Sequence, residues 1–115
     1  MQGIFSELNE PHDSKVKALW RNLAEYCDLE ESQQPTIPHF SWHIAESYNW
    51  EEVVRILKDI CSQARPLTVR TAGLGVFSGE KGVIFLNLIK DRLLLEFHHA
   101  LWERVESYTV GSSPY

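Results

Sequence analysis

Apolar and polar positions alternate from His39 to Ala45, in the run HFSWHIA. Side chains of a strand point to opposite faces in turn, so Phe40, Trp42 and Ile44 fall on one side. His39, Ser41 and His43 fall on the other. The period changes on both flanks. Val16, Leu19, Trp20, Leu23 and Cys27 recur at helical spacing and predict an amphipathic helix from about Ser14 to Asp28, with Asp13 or Ser14 as N-cap. Trp50, Val53, Val54, Leu57, Ile60, Cys61 and Ala64 form a second apolar stripe. Asn49 and Glu52 have the spacing of a capping box at its start, and Pro66 ends it.

Leu67 to Phe77 and Val83 to Ile89 read as extended segments joined by the turn-like SGEKG, which makes them a hairpin. Gly73 and Gly75 predict a bulge or a close approach within the first of them. Asp91 can cap a last helix, with Leu94, Phe97, His98, Leu101, Trp102 and Val105 on its stripe. A short strand, GIFSEL, precedes everything, and a loop from Glu30 through Pro35 and Pro38 separates the first helix from the histidine strand. The resulting order is strand, helix, strand, helix, strand, strand, helix. It predicts an α+β fold: a largely antiparallel sheet with the amphipathic helices on one face and the histidines on the other.

Length and charge narrow the function classes. At 115 residues the chain has room for one core and is expected to be a single domain, 1–115. Its net charge of −5 argues against a broad basic face for long nucleic acid, but not against a short or singly phosphorylated ligand. The N-terminus lacks the pattern of a secretory signal, and no apolar run reaches bilayer length, so a cytoplasmic protein without a membrane partner is expected. Cys27 and Cys61 lack metal-type spacing and sit on helical stripes, which predicts reduced core residues.

The histidine strand carries the chemistry. An imidazole can take a proton from an attacking hydroxyl or water. A hydroxyl two residues on, from the same face, can donate to a phosphoryl oxygen. His39 and Ser41 suit these two roles without a metal or cofactor. His43 shares the predicted polar face and would line a cleft there, although a structural role is the simpler reading of it. His39 and His43 are too far apart along the strand for easy chelation, so no metal site is expected.

PHFSW, on a strand between two helices, resembles the first signature of the two-histidine phosphoesterases, and within them the 2′-5′ RNA ligase and cyclic phosphodiesterase branch. GLGVFSGEKGVIFLNLI and DRLLLEFHHALWERV are similar to segments that follow in that family. The resemblance implies two lobes around a cleft, each bearing a His-x-Thr or His-x-Ser motif. One histidine then serves as base and the other as acid on a 2′,3′-cyclic phosphate or a 2′-5′ linkage. It would make His39 a catalytic residue and Ser41 its phosphate-binding partner, acting on a small nucleotide or an RNA end. No second motif follows His43; in the family it comes after the segment that SSPY resembles, so the chain resembles that domain cut short. A weak or inactive catalyst is therefore expected. The alternatives are a non-catalytic nucleotide- or phosphate-binding module, or a homodimer in which each chain contributes one His39.

Other residues have plainer readings. His98 falls on an apolar stripe, as a hydrogen-bonded core histidine would, and His99 points to solvent. Trp20, Trp42, Trp50 and Trp102 read as packing residues. Arg70, on the predicted strand near the glycines, reads as a surface residue with a phosphate contact as the sharper alternative. Lys81 reads as solvated.

Overall fold

The computed structural model describes residues 1–27, 37–80 and 82–113. The elements follow as β1 (Gln2–Glu7), α1 (His12–Cys27), β2 (His39–Ala45), β3 (Ser47–Tyr48), α2 (Trp50–Gln63), β4 (Thr71–Phe77), β5 (Val83–Leu88), α3 (Arg92–Val105), a 3₁₀ turn (Glu106–Tyr108) and β6 (Thr109–Val110). This is the expected α+β class, and the expected order with two short strands, β3 and β6, added. The single sheet is replaced, among the described residues, by three two-stranded sheets: β1–β2, β3–β6 and β4–β5. The loop from Glu30 to Pro35 and Lys81 lie outside the described residues. No described helix is long and apolar enough to cross a membrane.

The chain divides into two compact units, Met1–Tyr48 with Val110–Tyr115, and Asn49–Thr109. In the first, β1 and β2 run antiparallel. Ile4, Trp42, His43, Ala45 and Tyr48 are its buried residues, together with Pro38. The last described residues return to the end of β2: Glu46 N–H donates to the Val110 carbonyl at 3.0 Å, and Ser113 N–H to that of Ile44 at 3.0 Å. Helix α1 begins two residues earlier than predicted. The Asn9 carbonyl accepts from His12 N–H at 2.9 Å, and the Glu10 carboxylate takes the Ser14 hydroxyl at 2.7 Å. A carboxylate there also suits the positive end of the helix dipole. No residue of α1 is buried, and Cys27 is exposed rather than part of a core.

In the second unit, Val53 and Ile56 of α2 and Leu94, Leu101 and Val105 of α3 are buried. Arg104 Nη1 of α3 meets Asp59 Oδ2 of α2 at 2.8 Å. Asp91 caps α3 as predicted, accepting from Leu94 N–H at 3.0 Å. The capping box of α2 does not form: the Asn49 side chain makes no capping bond, and Glu52 pairs with Arg55 instead. Trp50, Val54 and Cys61 of the predicted stripe are exposed, whereas Trp102 and His98 are half-buried beside each other. His99 is exposed and pairs with Glu103.

The β4–β5 hairpin fulfils both expectations for its glycines. The register shifts between Thr71 and Leu74, and Gly73 there has φ +79°. Gly75 lies opposite Phe85, and any Cβ at Gly75 would collide with that ring. Phe85 in turn stacks on Phe77, centroids 4.4 Å apart. Gly73→Ala puts a Cβ into the left-handed region, where glycine alone is at ease. It is expected to lower stability by about 1 kcal/mol in chemical denaturation. An unchanged midpoint would mean that residue 73 has a different backbone conformation in solution.

Candidate functional site

Strand β2 occupies the predicted residues, but its two faces are not those of simple alternation. Along the ladder, Glu7 pairs with His39, Ser6 with Phe40, Phe5 with Ser41, and then Ile4 with His43. One step on β1 thus spans two on β2, and Trp42 is the extra residue of a β-bulge. Beyond a bulge every following side chain moves to the other face. His39 and Ser41 remain together with Glu7 and Phe5, and all four are exposed. His43 joins Ile4 on the opposite face and is fully buried. The expectation that His43 lines an accessible cleft beside His39 and Ser41 is therefore corrected: the bulge turns it inward.

The buried imidazole is built into the core by hydrogen bonds. The Tyr48 hydroxyl lies 2.7 Å from His43 Nδ1 and 3.0 Å from the His43 carbonyl. The hydroxyl has one proton, and the carbonyl can only accept it, so Nδ1–H donates to the tyrosine oxygen. The rings meet edge-on, centroids 5.5 Å apart. Trp42 is fixed similarly: its Nε1–H donates to Ser6 Oγ at 2.8 Å, and its ring meets Phe40 edge-on at 4.9 Å.

His39 is held differently, and its nitrogens become distinguishable. Nδ1 lies 2.6 Å from the Ile37 carbonyl. A carbonyl cannot donate, so Nδ1 carries the proton, and Nε2 of the neutral ring is left with its lone pair. That carbonyl is itself well placed. The next residue, Pro38, is buried, and its own carbonyl accepts from Leu8 N–H at 3.1 Å, tying the approach to β2 onto the end of β1. The Phe5 ring flanks the imidazole, centroids 5.0 Å apart and tilted by 52°. Ile37 and Phe5 are positioning residues that sequence reasoning missed. The signal for Phe5 is available only once β1 is paired with β2 in register, and Ile37, two residues before His39, acts through its backbone carbonyl, which its side chain does not announce.

Among the described residues the Ser41 hydroxyl makes no hydrogen bond. Residues two apart on a strand lie about 6.5 Å apart. A phosphate held by the Ser41 hydroxyl therefore lies close enough for a water beside it to donate to His39 Nε2. Both side chains are exposed. Two surface depressions, of about 560 Å³ at Arg55, Asp59 and Arg104, and of about 360 Å³ at Leu67, Arg70 and Asp91, do not include them. Arg70 lies before β4, with its guanidinium 3.7 Å from Asp91 and largely exposed.

Comparison of the chain with protein-family models, with curated proteins and with solved structures finds no match. Tyr48→Phe tests the assignment of His43 to the core. It removes the oxygen that accepts from Nδ1 and is expected to cost about 1–3 kcal/mol of stability. Surface chemistry at His39 should stay intact, which proton-carbon NMR of the histidine side chains would show. A loss of His39 signals alone, with stability unchanged, would reverse the assignment.

Proposed function

We propose that the chain carries one half-site of a metal-independent phosphoesterase in a cytoplasmic protein of the 2′-5′ RNA ligase-like kind. It would act on a 2′,3′-cyclic phosphate or a 2′-5′ phosphodiester of a small nucleotide or an RNA end. The observation that carries this reading is the Nδ1–H bond from His39 to the Ile37 carbonyl, which leaves Nε2 of an exposed imidazole to accept, on the strand face that also carries exposed Ser41. On a 2′,3′-cyclic phosphate, Nε2 takes a proton from water as the water oxygen bonds to phosphorus. The bond from phosphorus to one ribose oxygen breaks, and that oxygen takes a proton from solvent. Ser41 Oγ–H donates to a non-bridging oxygen throughout.

A second reading follows from the other histidines of the same unit. His43 is buried on the far face, and His12 belongs to α1, outside the strand face. With one imidazole on that face, a binding module that holds a nucleotide phosphate without turnover is the alternative. Two chains that each present His39 to one substrate would restore a pair, and turnover would then rise faster than linearly with protein concentration.

Hydrolysis of a 2′,3′-cyclic nucleotide separates these readings. A proton-transfer group supplies about 10²–10⁴ in rate, so slow turnover is expected, and His39→Ala should remove what there is. Ser41→Ala should weaken ligand binding with the strand intact. Binding that depends on His39 but gives no turnover favours the module, and turnover indifferent to His39→Ala overturns the phosphoesterase reading.

A further inference from the structure

We infer that Glu7 is a charge filter for this face, selecting a singly charged phosphodiester over a doubly charged phosphomonoester. The inference rests on the phosphoester reading above and adds a specificity-determining residue to it. Glu7 is the ladder partner of His39 on the antiparallel strand β1. Partners across such a pair share a face, with Cβ atoms about 5 Å apart. Glu7 is exposed, and among the described residues its carboxylate enters no ion pair. No ion pair joins it to His39, whose Nδ1–H donates to the Ile37 carbonyl instead. Among the described residues an unpaired negative charge therefore stands on the face whose Ser41 hydroxyl would receive a phosphate.

The two ester classes feel that charge unequally. A phosphodiester carries one negative charge, whereas a monoester, whose second ionisation lies near pH 6, carries nearly two at neutral pH. Donation from the Ser41 hydroxyl is common to both classes. Repulsion from Glu7 grows with ligand charge, and at an exposed site it is moderate and screened by salt. A preference of about threefold to tenfold for the diester is expected at low salt. Hydrolysis of a cyclic diester raises the ligand's charge from one to nearly two, so the same carboxylate that admits the substrate expels the product.

The test compares binding of 2′,3′-cyclic AMP and 3′-AMP by titration calorimetry, in low and high salt. The wild-type chain, Glu7→Gln, Glu7→Lys and His39→Ala are measured side by side, each checked for folding by circular dichroism. The filter predicts tighter cyclic-diester binding to wild type, and a gap narrowed about threefold or more in Glu7→Gln. It also predicts a gap reversed in Glu7→Lys, with all differences shrinking in high salt. A monoester-to-diester ratio that is the same in wild type and both Glu7 variants, while His39→Ala weakens both ligands, overturns the filter and leaves the phosphoester reading standing. Affinities unaffected by His39→Ala, or no binding of either ligand to wild type, overturn both.

Discussion

The single extra residue that Trp42 inserts into the β1–β2 ladder decides what this strand presents to the outside. Paired without it, β2 would keep His39, Ser41, His43 and Ala45 on one face. With it, the strand is divided: His39 and Ser41 look outward, whereas His43 and Ala45 turn to the core. The bulge is secured from both sides, by the indole N–H on Ser6 and by the edge of the Phe40 ring. Burying an imidazole is costly unless its polar atoms are met, and the Tyr48 hydroxyl meets Nδ1. The bulge and the His43–Tyr48 pair therefore depend on each other: one turns the ring inward, and the other makes that position tolerable.

What was readable in the sequence was what depends on neighbours along the chain. The limits of β2 followed from alternation, the start of α3 from Asp91, and the irregularity of β4 from Gly73 and Gly75. HFSWHIA, however, reads the same with or without a bulge, because the extra residue is defined only against Ile4 and Phe5 of the partner strand. The fate of Cys27 and Cys61 was hidden for a related reason. A helical stripe tells which residues share a side, and not whether another element covers that side. Asn49 and Glu52 show the same limit at short range: the spacing of a capping box was present, but Arg55 offered Glu52 a charged partner one turn on. Strand pairing is non-local as well, so nothing along the chain separated one continuous sheet from three short pairs.

The outward face gains its chemical character from backbone more than from side chains. A histidine on an exposed strand would ordinarily sample several rotamers and both neutral tautomers. Here the Ile37 carbonyl selects one nitrogen as donor, and the carbonyl is steady because buried Pro38 and the Leu8 amide anchor the residue after it. Proline suits that position. It needs no partner for a missing N–H, and its fixed φ brings the chain into β2 in extended form. Which nitrogen carries the proton in the neutral ring is thus set by where the strand begins.

One imidazole on a strand face would impose a geometric limit on any phosphoryl chemistry there. Attacking and leaving oxygens lie roughly in line on opposite sides of phosphorus. A phosphoester set against this face would turn one of these oxygens toward the strand and the other away from it. His39 can serve the first and cannot reach the second. Glu7, on the same side as His39, is no nearer to it. The second proton must therefore be handled by whatever stands over the face, whether solvent or another protein surface. If solvent stands there, the leaving oxygen departs without a positioned acid, and binding will outrun catalysis. If a second imidazole stands there, the same strand, unchanged, becomes half of an efficient site.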